Sequence, residues 1–326
     1  MQISWKKHLG NSRPLAGLVL VFLLGILLSP RDSAGDIIFL SAGNLSDVLL
    51  QQSEIGIIAL AMTLVIIGSG IDLSVGSVLA CAASVAGLVL VRWQPFSGGG
   101  TVPTAVALAL AAGAAVGTVN GLVITRLGLQ PFVMTLATMI GVRGLTRWLT
   151  GNTNVDFAFG DSASARFAAT FSHKPFVIGA WVALAVIVHL VLTRTVFGRY
   201  LRATGENERA AFYSGLPIRA VRLATYIGCG ALAALAGLIH AARSFQGNPN
   251  DGVAYELDAI AAVVIGGTAL AGGRGTVIGT MTGALLLGLL TNLLRLRMVD
   301  SNVELMIKAV LIVAAVWLQR RGGREL

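Results

Sequence analysis

Along most of this chain, polar residues arrive only as punctuation between apolar runs. The runs fall at 15–28, 53–69, 73–91, 102–124, 131–149, 175–192, 218–242, 257–271, 276–296 and 303–318. A helix that crosses lipid needs roughly 20 predominantly apolar residues. The pattern therefore predicts an all-α, polytopic membrane protein with about ten transmembrane helices. The eighth run is short enough to be a broken or re-entrant segment. The first follows Lys6, Lys7 and Arg13 in the manner of a signal peptide. It leads into Ser29-Pro30-Arg31-Asp32 rather than a small-x-small cleavage site, so it is read as an uncleaved first span. Two connecting segments are long, near 150–174 and 194–217.

The polar interruptions are where chemistry is expected. In "GIDLSVGS" (70–77), Asp72 sits between glycines and serines with hydrocarbon on both sides. The pattern predicts a tight turn between spans two and three. Asp72 would cap span three by accepting the N–H of Ser74 or Val75, Gly70 would ease the turn, and Gly76 would permit close packing. In "QPFVMTLATM", Thr135 and Thr138 share a helix face. Two readings stay open for them: hydroxyls bonded back to carbonyls one turn earlier, or lining of a path through the bundle. Asn120 is an intramembrane amide that must find a partner. Glu256 and Asp258 stand at the start of span eight, where they either complement the helix dipole or meet an external partner. Arg143 and Arg147 read as snorkelling anchors. Arg274, among glycines, reads as a topogenic charge, an ion-pair partner of Asp72 or a contact for a cytoplasmic protein. The stretches 65–78 and 264–277 align without gaps, as an internal repeat or as chance similarity of small residues.

Composition agrees with the periodicity: 55% of the 326 residues are hydrophobic, 12% are charged, and 40 are glycine. A soluble domain carries about a quarter charged residues. The net charge of +9 sits in short clusters between apolar runs, so it reports orientation rather than nucleic-acid binding. With ten spans and the N-terminus inside, the inner segments hold fourteen bases against four acids, and the outer segments nine against eleven. Lysine and arginine concentrate in cytoplasmic loops. Both termini are thus expected on the inner side of the cell membrane. Cys81 and Cys229, each within an apolar run, read as packing residues.

No phosphate-binding G-x-x-x-x-G-K-[ST] loop, metal-ligand spacing or catalytic constellation is present, and no cofactor is implied. What remains is the inner segment "FGRYLRATGENERAAFYSGLPIRAVR". Within it, 206–213 is predicted to form a short helix, with Gly215 as its C-terminal cap and Pro217 as its stop. Such a helix either tidies a loop at the membrane surface or acts as a lever docked on a partner.

That segment (about 197–217) resembles the coupling-helix loop of ABC importer permeases of the ribose/xylose/arabinose branch. So do "GIDLSVGS", "NGLVITRLGLQPFVMTLATMIGVRGL" (120–145) and "YELDAIAAVVIGGTALAGGRGTVIGT" (255–280), in the family's order and over nearly the whole chain. The resemblance implies a type II importer-like permease forming one domain, 1–326. It implies a second permease copy, identical or not, a cytoplasmic ATP-hydrolysing subunit and an extracytoplasmic sugar-binding protein. ATPase coupling would fall to Gly198, Gly205, Glu206, Asn207, Ala210, Ala211, Ser214 and Gly215, and the pathway or its gate to Asp72, Ser74, Asn120, Thr135 and Thr138. The chain departs from the family where Glu206 replaces a common glycine and Pro217 a common polar residue. Which monosaccharide is carried stays open, as do a nucleoside, a furanose signal or a polyol. A self-sufficient secondary transporter is disfavoured because the acids lie near span ends or in loops.

Overall fold

The structure, a computed structural model, describes residues 5–93, 100–158 and 162–323. Arg324 and Glu325 of the charge count lie outside the described residues. In chain order the helices are α1 (Trp5–Leu28), α2 (Ala42–Ile67), α3 (Val75–Leu88), α4 (Thr101–Leu127), α5 (Pro131–Thr150), α6 (Ala163–Phe171), α7 (Lys174–Arg194), α8 (Val196–Glu206), α9 (Glu208–Tyr213), α10 (Ile218–Ser244), α11 (Tyr255–Ile265), α12 (Val277–Leu296) and α13 (Ser301–Gly323). Each of the ten apolar runs has become a helix. Among the described residues, six helices are long and apolar enough to cross a membrane: α2, α3 with its π-helical extension to Trp93, α4, α7, α10 and α12. At 11 residues, α11 spans only about 16 Å, roughly half a bilayer core.

The departures lie mainly in the long connections. The segment between α5 and α7 holds α6 and a two-residue strand, β1 (Val155–Asp156). That strand pairs antiparallel with β2 (Gln246–Gly247), matching Val155 to Gly247. The segment between α7 and α10 holds two helices instead of one.

Helix α10 is the centre of the bundle, packing along α4, α3 and α2. A Cβ added at Gly113 of α4 would lie 2.4 Å from the Gly230 carbonyl of α10, and one at Gly230 would lie 2.1 Å from the Gly113 carbonyl. The two backbones are in contact because neither position carries a side chain. Small residues permit this where lipid supplies no hydrophobic drive for helix association. Cys81 and Cys229 are buried and free.

The repeated stretches have one structural role. Each ends a helix (α2 or α11), turns, and starts the next (α3 or α12). The two turns meet: the Gly273 amide donates to the Ile67 carbonyl at 2.8 Å, and the Ser69 hydroxyl lies 2.9 Å from the Ala271 carbonyl. The similarity thus marks two parallel helix–turn–helix units that abut at their turns.

Candidate translocation and coupling site

The five residues assigned to a pathway or gate come together. Asp72, 1% exposed, accepts through Oδ1 from the Ser74 amide at 2.9 Å and the Ser74 hydroxyl at 2.5 Å. Ser74, rather than Asp72, is the residue that immediately precedes α3, so the carboxylate caps from two positions upstream as an Asx-type turn. The left-handed residue of the turn is Ser69, with φ +59°, not Gly70. Gly76 packs as expected: a Cβ there would lie 2.1 Å from the Gly252 carbonyl.

From Ser74 the network continues into other helices. The Asn120 side-chain amide donates to Ser74 Oγ at 3.0 Å, and the Thr138 hydroxyl donates to Asn120 Oδ1 at 2.6 Å. The Thr135 hydroxyl bonds back to the Pro131 carbonyl at 2.9 Å and lies 3.3 Å from the Ile71 carbonyl. One buried chain of polar groups therefore joins the α2–α3 turn, α4 and α5. Thr135 takes the back-bonded role in part, whereas Thr138 spends its hydrogen on another helix. Removing one member would strand a buried partner, at about 1–3 kcal/mol.

The eight residues assigned to coupling occupy α8, the junction at Asn207, α9 and the cap that ends α9. Gly198 is buried in the first turn of α8, which Thr195 caps through the Gly198 amide at 3.2 Å. The predicted helix 206–213 requires correction: Glu206 ends α8, and α9 begins only at Glu208. The break is at Asn207, whose extended backbone ends one helix and whose side chain caps the next by accepting the Ala210 amide at 3.0 Å. Ser214 and Gly215 terminate α9 in a Schellman motif. Gly215 has φ +75°, and the Leu216 amide returns to the Ala211 carbonyl at 3.1 Å. Ala211 is buried beneath the helix, while Ala210, Phe212, Tyr213 and Ser214 face outward. Phe212 is 68% and Tyr213 86% exposed. Glu208 grips Arg222 of α10 with both oxygens, at 2.7 and 2.6 Å.

Gly205, just before the junction, is buried. A Cβ on Gly205 would fall 1.8 Å from the Ile67 carbonyl and 2.7 Å from the Gly273 amide nitrogen. Ser69 Oγ lies 2.8 Å from the Gly205 carbonyl. The end of α8, the end of α2 and the turn before α12 thus share one contact point. Arg274 does not pair with Asp72; it lies 3.7 Å from Glu206, with both side chains largely exposed.

At the opposite end of the bundle, the arginines of α5 do more than snorkel. Arg143 donates to the carbonyls of Pro249, at 2.9 Å, and Asp251, and Arg147 Nε donates to Asn250 Oδ1 at 2.9 Å. They hold the loop between β2 and α11. Beside it is a network that sequence reasoning missed. Glu54, 4% exposed, pairs with Arg243 and with His240 Nδ1 at 2.8 Å, while His240 Nε2 meets Asp251 Oδ2 at 3.0 Å. The His240 ring thus bridges the two carboxylates. Glu54 is not at a span end, because α2 begins at Ala42 and places it mid-helix. The available signal was His240 and Arg243, three apart on one helix face, opposite the polar string Gln51-Gln52-Ser53-Glu54.

A largely helical bundle with a buried chain of polar groups, and a short exposed helix packed against two helix turns, fits a multi-pass membrane transport subunit. The chain belongs to the family described as "Branched-chain amino acid transport system / permease component", matched over residues 44–316. It is similar to the ribose import permease protein RbsC of Escherichia coli (strain K12), 39% identical over 324 residues, covering 97% of this chain and 95% of the relative. The Bacillus subtilis (strain 168) RbsC is also 39% identical, over 312 residues, with coverages of 94% and 92%. The D-allose transport system permease protein AlsC of Escherichia coli (strain K12) is 33% identical over 300 residues, with coverages of 92% and 90%. No solved structure matches the chain.

Proposed function

We propose that residues 1–326 form one permease domain of an ATP-driven monosaccharide importer in the inner membrane. It provides the solute path and takes its motion from a separate ATPase bound at α9. The names of the relatives, ribose and D-allose permeases, support the substrate class. The observation that carries the coupling role is the construction of α8–α9. Two exposed aromatics stand on a six-residue helix, and the buried Gly205 behind them touches both the α2 and α12 turns. A load applied to Phe212 and Tyr213 would pass through one rigid contact to the turn that carries Asp72. In this reading the α9 end is cytoplasmic, as the clustering of basic residues argues, and both termini lie on that side. A second permease copy completes the path, and a sugar-binding protein delivers solute at the opposite face. That division of labour suits a path lined by hydroxyls and amides with few aromatics.

The test is a Phe212→Ala/Tyr213→Ala variant of the assembled transporter. Both side chains are exposed, so thermal stability should stay at the wild-type value while sugar-stimulated ATP hydrolysis falls at least about tenfold, the loss of about 1.4 kcal/mol of coupling. Unchanged stimulation refutes the lever. Sugar uptake by the purified chain without any ATPase refutes the whole assignment.

A further inference from the structure

At the end of the bundle away from α9 lies a cavity of about 430 Å³, walled by α2, α10, α11, α12 and α13. It is separate from the Asp72–Asn120–Thr138 chain. Its volume falls in the range of small-molecule sites, about 300–1,000 Å³.

Two polar groups on its wall have unused hydrogen-bonding capacity. Gln52 is only 6% exposed, lines the cavity and lies across Gly288 of α12, where a Cβ would come within 2.9 Å of its Oε1. Its amide makes no hydrogen bond to any described residue. The amide therefore faces the cavity with its donor and acceptor capacity open to an occupant. The Asp258 carboxylate, on the facing wall, likewise accepts no hydrogen bond from a described residue.

The charges decide the class of ligand. Glu54 is matched by Arg243 and His240. Lys308 and Arg295 share Glu304, at 2.8 and 3.6 Å, and the Lys308 charge also acts on Asp258, so the two cations face two carboxylates. A cation entering would face the arginines and the lysine, and an anion would face Glu54 and Asp258. A neutral molecule rich in hydroxyls meets neither penalty. Its hydroxyls can donate to the Asp258 carboxylate and both donate to and accept from the Gln52 amide. The ring of Tyr255, set edge-on to His240, supplies a flat wall for the carbon face of such a solute.

We propose that this cavity binds a neutral polyhydroxyl solute of monosaccharide size within a single protomer, as a receiving site ahead of the gate, with Gln52 and Asp258 as its recognition groups. The proposal rests on the monosaccharide reading above. The probe is Ser244→Cys, a near-isosteric change on the cavity wall; the native Cys81 and Cys229 are buried. In the assembled transporter in proteoliposomes, alkylation of this cysteine by a maleimide is timed with D-ribose, D-allose or D-galactose present, and with potassium sulfate or choline chloride as charged controls.

The transported sugar should slow alkylation about twofold when its concentration equals the dissociation constant. Adding Gln52→Leu or Asp258→Asn should abolish the protection, and adding Asp72→Asn should leave it intact. If the transporter imports a sugar that gives no protection, or if only the charged solutes protect, the cavity proposal is overturned while the import function stands. If no monosaccharide is imported, D-xylose and L-arabinose included, the function reading fails instead.

Discussion

Gly205→Ala tests the mechanical core of the argument, because the clash it creates can be read directly from the coordinates. The new methyl would sit 1.8 Å from the Ile67 carbonyl oxygen, against a comfortable separation of about 3.5 Å. Either the end of α8 or the end of α2 must move by about 1.7 Å to restore that contact distance. The obstacle is backbone, so no side-chain rotation relieves it. Ile67 also accepts the Gly273 amide, so moving its carbonyl costs a hydrogen bond worth about 1 kcal/mol in addition to about 1–3 kcal/mol of overpacking. The expected result is a transporter that still assembles, melts at a lower temperature, and hydrolyses ATP with weakened dependence on sugar. Gly228→Ala is the control: apart from its own helix backbone, no described residue lies within 4 Å of a Cβ there, and alanine favours the helix. If Gly205→Ala matches wild type in melting temperature and in sugar-stimulated hydrolysis, α9 is not keyed into the bundle through this contact.

Two further substitutions separate packing from transport. Asp72→Asn keeps an oxygen for the Ser74 amide but loses the charge, so melting should change little while uptake in proteoliposomes drops; full uptake would reduce Asp72 to a turn-former. Glu54→Gln leaves the partly buried Arg243 without its carboxylate and His240 with Asp251 alone, a loss of up to about 3 kcal/mol because both cations keep some solvent; an unshifted thermal melt in detergent would show that the network contributes no stability.

The helices were legible because lipid imposes one strong pattern, and each of the ten apolar runs maps to one of them. The meeting of Asp72, Asn120 and Thr138 was legible for a related reason: they are polar groups in apolar surroundings, and such groups must find one another. The helix break at Asn207 was not legible, because a cap can start one helix only where the preceding one stops, and nothing in "TGENER" marks that stop. Arg143 and Arg147 were read as anchors because their partners, Pro249, Asn250 and Asp251, lie a hundred residues away and are mostly backbone carbonyls. Glu54 was placed at a span end because the amphipathic first turns of α2 carry too many polar residues to register as a membrane run. In each case the missing information was tertiary.

Helix α5 is tied to the rest of the chain at two levels: Thr135 and Thr138 near one end, Arg143 and Arg147 near the other. Thr135 and Arg147 are about 18 Å apart along the axis. A tilt of about 10° about the threonine end would therefore carry Arg147 about 3 Å, enough to part it from Asn250, while the threonine contacts hold. The same tilt about the arginine end would do the reverse. A stiff rod pinned twice can release either pin by pivoting on the other, and keeping one pin closed at all times is what a transporter needs if it is never to be open on both faces at once.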